Sequence, residues 1–242
     1  CSGFVAISAA TRDDCINLLG APPDRVTLAP AGCGPQFKPC EDKAVKGRLR
    51  RSMQLKRPYV LYVGRIQPRK NLVRLMQAFD VVCARHPHWQ HELVIAGASG
   101  WMDEPILAVA KELAGAERIR FTGFVPGDDL PVLMAGAEVF ALVSLWEGFG
   151  MPLIEAMACG TPTITSNNSA LNEVAGDAAL RVDPEDTEAI ACALERLLTE
   201  PELRASLSEK GLAQAARFTW TETARSIVRA ADKAATKKGR QT

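Results

Sequence analysis

The chain holds 242 residues, 47% of them hydrophobic, enough to bury one sizeable core and part of another. Lys and Arg number 29 against 28 Asp and Glu, and aromatics make up only 6%, so neither a global basic field nor a base-stacking platform argues for nucleic acid. The 7 cysteines include no C-x-x-C pair and read as reduced cytosolic thiols rather than a disulfide or zinc framework; no apolar run reaches transmembrane length.

In chain order, the sequence starts at Cys1 in what reads as mid-element, with no signal peptide, as a fragment or processed piece would. Residues 3–8 are a short β-rich run. Ser8 is placed to cap a helix over 9–19 that Gly20 stops. A strand over 26–29 leads into the loop 30–35. The stretch 43–57 carries seven basic residues without aromatics and reads as a solvated helix or linker face rather than an anion site. From Tyr59 a regular alternation begins: strand 59–63 and helix 72–84, strand 93–96 and helix 104–113, strand 118–122 and a short helix 129–135. Strand 139–143 precedes a helix over 153–159 with Pro152 at its first position, then come strand 162–165 and an apolar run 179–182. Amphipathic helices are predicted over 187–198, 202–216 and 221–235, and 237–242 reads as a frayed basic tail. This alternation predicts an α/β fold, a parallel sheet with helices on both faces.

The turns after the strands carry the chemistry, because in a parallel sheet they share one edge. The first holds Gly64, Arg65 and Lys70 and lacks both G-x-G-x-x-G and G-x-x-x-x-G-K-[ST]; two cations there suit a diphosphate, with Arg69 between them expected to face solvent. Later turns bring Gly97 to Gly100 and Gly123 to Pro126. The fourth holds Glu147, the glycine turn Gly148-Phe149-Gly150, and Glu155 near the first turn of the following helix, so two carboxylates are expected to face one crevice. The acidic pairs Asp13-Asp14, Asp128-Asp129 and Asp183 to Asp186 read as helix caps rather than metal ligands, and His86, His88 and His91 as a surface loop. Cys159 reads as a small core residue, Trp101 and Met102 as rim or packing residues, and Asn167, Asn168 and Ser169 as a turn or as contacts to donor hydroxyls.

YVLYVGRIQPRKNL, RIRFTGFVPGDDL and SLWEGFGMPLIEAMACGTPTITSNNSALNEVAGDAALRVDP resemble the donor-binding half of glycosyltransferase family 4, the group 1 retaining transferases of the GT-B fold. The likeness runs from about Gly3 to Trp220. It implies a Rossmann-like donor domain with C-terminal helices over 43–242, and a remnant of the N-terminal acceptor domain with the crossing segment over 1–42. Residue by residue, it assigns the donor's diphosphate to Arg65 and Lys70 and the ribose hydroxyls to Glu155. Glu147 falls beside the transferred sugar, where it orients the sugar and stabilises positive charge rather than attacking as a nucleophile. The backbone of Gly148, Phe149, Gly150 and Met151 falls against sugar and phosphate, Gly64 in the cationic turn, and Phe124 and Val125 beside the base.

The implied donor is a nucleotide-diphosphate sugar, GDP-mannose first and a UDP-sugar next, with no metal and no cofactor. The implied acceptor is a glycan or lipid-linked glycan, read by the half that is mostly outside this sequence. A cytoplasmic enzyme is expected, with any membrane contact peripheral, at the inner face and through that other half; this piece alone is expected not to catalyse transfer. One departure is PAGCG at 30–34, where the family often has P-x-G-V/I-D. An epimerase or phosphorylase of the same fold, or a non-catalytic nucleotide-binding module, are the alternatives.

Overall fold

The structure, a computed structural model, describes residues 3–238. The elements run β1 (Phe4–Ala6), α1 (Ala9–Asn17), β2 (Val26–Leu28), α2 (Lys43–Ser52), β3 (Tyr59–Val63), α3 (Leu72–Arg85), β4 (Glu92–Ala96), α4 (Glu104–Glu112), β5 (Ile119–Gly123) and α5 (Leu130–Ala135). They continue with β6 (Val139–Leu142), α6 (Met151–Ala158), β7 (Thr163–Ser166), α7 (Ser169–Ala175), β8 (Ala179–Val182), α8 (Thr187–Thr199), α9 (Pro201–Ala215) and α10 (Trp220–Lys238).

Six of these strands form one parallel sheet in the order β5-β4-β3-β6-β7-β8. The central strands are apolar without alternation because helices cover both of their faces: Tyr59 to Tyr62 and Val139 to Leu142 are all buried. Tyrosine is tolerated there because each hydroxyl finds a carbonyl, Tyr59 on Leu133 at 2.7 Å and Tyr62 on Arg65 at 3.1 Å. The order reverses direction between β3 and β6. There the connections leave to opposite sides, and a crevice opens at the carboxyl edge.

The turns after β3 and β4 meet backbone to backbone. Gly64 donates to the Ala96 carbonyl and Gly97 to that of Gly123, while Ile66 and Ser99 form a further parallel bridge. Gly97 has φ +153°, and a Cβ on it would lie 1.9 Å from the Gly64 carbonyl oxygen.

β1 and β2 form a separate two-stranded parallel sheet with its own small core of Ala6, Ala21 and Val26. α10 lies against it. Thr223 Oγ1 donates to the Pro30 carbonyl at 2.6 Å, and Gly32 sits so close to Trp220 that a Cβ would be 2.1 Å from its backbone nitrogen.

Several expectations shift. α6 begins at Met151, two residues earlier than predicted, with Pro152 in its second position and Gly150 as N-cap, so Glu155 lies in the second turn. Asn167, Asn168 and Ser169, read as a turn, lead into α7. Of the acidic residues read as caps, Asp186 does cap α8 through the Ala189 N–H at 2.9 Å. Asp13 and Asp14, however, lie inside α1, whose start Ser8 caps, and Asp129 precedes α5 without a capping bond. The histidines are packed rather than loose: His86 stacks on Trp89 with centroids 3.8 Å apart and meets Glu195 at 2.6 Å, and His91 meets Glu138 at 2.9 Å. The tail read at 237–242 falls partly in α10, and its last four residues lie outside the described ones.

Candidate active site

β3 and β6, the strands flanking the reversal, deliver the site. After β3 the chain passes Gly64 and Arg65 into a 3₁₀ turn, Pro68–Lys70, closed by Asn71 in the left-handed conformation at φ 59° and ψ 31°. A short polar side chain tolerates that conformation best after glycine. Here it also clamps the turn, because buried Asn71 Nδ2 donates to the Val143 carbonyl at 2.9 Å and the Pro184 carbonyl at 2.6 Å. The clamp holds Arg69 and Lys70 against the loop that follows β6.

That loop carries Glu147, only 6% exposed. Lys70 Nζ lies 2.5 Å from its Oε1, and the Ser144 hydroxyl donates to the same oxygen at 2.8 Å. Arg69 Nη1 donates to Oε2 at 2.9 Å and also to the Trp146 carbonyl. Burial alone would push the Glu147 carboxyl up. The charge of Lys70 and the hydrogen bonds from Lys70, Arg69 and Ser144 outweigh it and hold the group below the usual carboxylate range. Arg69 therefore does not simply face solvent, as expected from a charged residue in a turn; it is a direct partner of Glu147.

The loop is fixed on its remaining sides. Ser166 Oγ donates to the Ser144 carbonyl at 2.6 Å, the Glu147 N–H donates to Ser169 Oγ at 3.2 Å, and Asn168 Nδ2 donates to the Leu145 carbonyl at 2.9 Å. Thr11 of α1 donates to the Gly148 carbonyl at 3.0 Å. The Phe149 ring is buried edge-on against Phe218, centroids 5.6 Å apart, so its side chain belongs to the core and only its backbone is left for a ligand. Gly150 has φ +98°, and a Cβ there would stand 2.5 Å from Leu171 Cδ2. It offers no side-chain cap to α6, where Pro152 has no N–H to give and the Leu153 N–H donates to the Gly150 carbonyl at 2.9 Å.

Glu155 is the opposite of Glu147. It is half-buried, its carboxylate has no hydrogen-bond or ion-pair partner among the described residues, and burial pushes it up to about 7. Cys33 Sγ lies 4.0 Å from the Ile154 carbonyl, which places the 30–35 loop beside α6, and burial and then the Glu155 charge push its thiol up to about 11.

The unfolded carboxyl titrates near 4.5, so the folded state loses stability as pH rises from there to about 7 and carries the full penalty above it. Glu155→Gln should therefore stabilise the ligand-free protein by about 2 kcal/mol at pH 8 and hardly at all at pH 4. Urea unfolding at the two pH values checks this, and an equal change at both would contradict it.

Arg65 is exposed at the rim of a cleft of about 270 Å³, formed with Gly64, Gly97, Ala98, Phe124 and Val125. Phe124 is 76% exposed and Val125 is buried. Trp101 and Met102 are exposed, Met102 with a positive φ. Among the described residues, no group of three or more His, Cys, Asp or Glu is arranged to hold a metal.

The residues that sequence reasoning missed are Arg69, Ser144, Asn71, Ser166 and Thr11. Ser144 was open to discovery, since it stands three residues before Glu147 at the end of an apolar strand. The others act through partners distant in sequence.

The profile of the family described as glycosyl transferases group 1 matches residues 47–214. The O-antigen chain mannosyltransferase B of Escherichia coli is 34% identical over 217 residues, 90% of this chain and 57% of that protein. The D-inositol 3-phosphate glycosyltransferase of Rhodococcus jostii (strain RHA1) is 32% identical over 228 residues, 91% of this chain and 50% of that protein. The chain thus spans about half the length of these relatives. Among solved structures, sucrose-phosphate synthase from Thermosynechococcus elongatus superposes with a TM-score of 0.79 at 27% identity, covering 93% of this chain and 56% of that one. Anabaena Alr3699/HepE in complex with UDP and glucose gives 0.84 at 20% identity over 96% of this chain and 63% of that one, a likeness of fold. The six-stranded parallel sheet with helices on both faces is Rossmann-like, its structural neighbours are glycosyltransferases of the GT-B fold, and the chain belongs to the group 1 glycosyl transferases.

Proposed function

We propose that this chain carries the donor site of a retaining, metal-independent glycosyltransferase that moves a sugar, mannose in the first instance, from a nucleotide-diphosphate sugar to a glycan or lipid-linked acceptor. The observation that carries the reading is Glu147, held ionised among Lys70, Arg69 and Ser144 at the sheet's reversal point, with Glu155, whose carboxylate has no partner among the described residues, on the helix that follows its loop. The relatives named above are a mannosyltransferase and other glycosyltransferases, and HepE is seen with UDP and glucose, which supports a nucleotide-sugar donor. GDP-mannose is the favoured donor, a UDP-sugar the next.

The chemistry follows from charge. As the glycosidic phosphoester breaks, negative charge gathers on the nucleoside diphosphate and positive charge on the sugar. Arg65 and Lys70 hold the first, with the positive end of the α6 dipole beside them; Glu147, kept ionised, faces the second. A helix terminus supplies only about 0.3–1 kcal/mol at an exposed site, so the two side chains dominate. Arg69 on Oε2 and Ser144 on Oε1 occupy both Glu147 oxygens even with Lys70 engaged by phosphate and make it a poor nucleophile, which favours charge stabilisation over a covalent intermediate. Glu155 accepts hydroxyls of the ribose, and Phe124 and Val125 flank the base in the cleft beside Arg65.

Residues 1–42 read as belonging to the acceptor-domain side and the crossing segment. The separate β1–β2 sheet with its own core supports that division. The acceptor is then read mainly by the other half. No helix among the described residues is long and apolar enough to cross a membrane, so membrane attachment, where it occurs, is proposed to be peripheral and on the cytoplasmic side.

Calorimetric titration of this chain with GDP, UDP and ADP tests the reading. One nucleotide should bind saturably, and Arg65→Ala should weaken it about tenfold or more. No binding at millimolar concentration, in this chain and in the full-length protein alike, would reject the donor site. Product analysis with donor and acceptor separates transfer from epimerase or phosphorylase chemistry.

A further inference from the structure

Arg69 meets the loop after β6 through both backbone and side chain. Its carbonyl accepts the Leu145 N–H at 2.9 Å. Its Nη1 donates to the Trp146 carbonyl and, at 2.9 Å, to Glu147 Oε2, and its guanidinium carbon lies 5.9 Å from the centroid of the Trp146 ring. The two oxygens of Glu147 are thereby divided. Oε1 takes Lys70 and Ser144; Oε2 takes Arg69.

This division matters once a diphosphate arrives. The Lys70 ammonium is a compact charge on a flexible stem and suits phosphate as well as carboxylate, so an anionic ligand competes with Glu147 for it. A buried carboxylate that loses its cation takes up a proton or moves towards water. A guanidinium stays charged at any working pH, and this one is anchored to a backbone carbonyl as well.

We propose that Arg69 is a positioning residue, holding Glu147 Oε2 and the Trp146 carbonyl so that Glu147 stays aimed at the sugar while an anionic donor draws Lys70 away. The inference rests on the donor-site reading above. Facing Glu147 are Lys70 and Arg69 from the turn after β3, Ser144 from the end of β6, the Ser169 hydroxyl at the start of α7, and Tyr62 of β3. The Tyr62 hydroxyl is pushed well up by burial and then by the Glu147 charge, so it does not titrate in the working range.

The test uses the full-length enzyme with GDP-mannose and, in parallel, UDP-glucose. Arg69→Ala should lower kcat about 10–100-fold with KM for the donor within about threefold. The acid limb of the kcat profile should move to higher pH, because Glu147 has lost a cation. Arg69→Lys should restore the acid limb but not the whole of kcat, since an ammonium lacks the guanidinium's fork. A rise in KM with kcat and the acid limb unchanged would make Arg69 a phosphate ligand and overturn the proposal.

A second measurement needs no turnover: urea unfolding of Arg69→Ala, Glu147→Gln and the double variant without substrate. Coupling of about tenfold or more in the folding equilibrium is expected, and additive effects would overturn the pairing. If the unsubstituted enzyme turns over neither donor, the donor-site reading falls, and this cycle still decides whether Arg69 and Glu147 act together.

Discussion

Glu147→Gln in the full-length enzyme should lower kcat by about 100–1,000-fold, the range seen when one group aimed at developing transition-state charge is removed. The amide keeps the shape and can still accept from Ser144, but it removes the negative charge that the proposed function aims at the sugar and confronts Lys70 and Arg69 with a neutral partner. A stability effect accompanies the catalytic one. The Glu147 carboxyl is held below its ordinary range in the folded state, so its contribution is present above the unfolded value and is lost as pH falls through the folded one. The variant should therefore be less stable than the parent by about 2 kcal/mol at pH 7, a difference that shrinks in acid. Steady-state kinetics at saturating donor, with urea unfolding at pH 7 and pH 4, separate the two effects. Retention of more than a tenth of kcat would remove Glu147 from the chemistry.

Gly97→Ala should destabilise the fold by about 3–5 kcal/mol, through collision and strain together. The new Cβ would stand 1.9 Å from the Gly64 carbonyl oxygen, at a φ of +153° that L side chains rarely adopt. No rotamer relieves this, because the obstacle is backbone. The turns after β3 and β4 would have to part, straining the Gly64 N–H bond to Ala96 and the Ile66–Ser99 bridge. That places the damage at the wall of the cleft beside Arg65. Gly127→Ala is the control, since a Cβ there meets nothing within 4 Å and should cost no more than about 1 kcal/mol. Comparable loss in both variants would show that the close approach of the two turns is not what glycine serves at position 97.

The central strands were legible because a strand buried on both faces has little choice of residue: YVLYV and VFAL are apolar throughout. Arg65, Lys70, Glu147 and Glu155 were legible as candidates because parallel strands send their following turns to one edge. The same logic misplaced Arg69. A cation in a turn usually faces water, and what holds this one lies 77 residues away in the loop after β6. Asn71 was passed over for the same reason, since its two carbonyl partners belong to the ends of β6 and of the β8–α8 connection. α7 spans only seven residues, too few for a helical period to stand out. Nothing in a hydrophobic pattern says which sheet a strand joins, so only the family resemblance, which assigned 1–42 to another domain, set β1 and β2 apart from the other six.

The contact between α10 and the opening strands has a consequence for synthesis on the ribosome. Thr223 reaches Pro30 across 193 residues of chain, while the six-stranded sheet is complete once β8 has emerged. A nascent chain can thus pair its six strands, and then cover them with α8 and α9, while β1 and β2 keep one side uncovered until α10 leaves the exit tunnel. β1 and β2 in turn pack with α1, whose Thr11 donates to the Gly148 carbonyl in the loop of Glu147. A truncation ahead of α10 would leave the small β1–β2 sheet uncovered on that side.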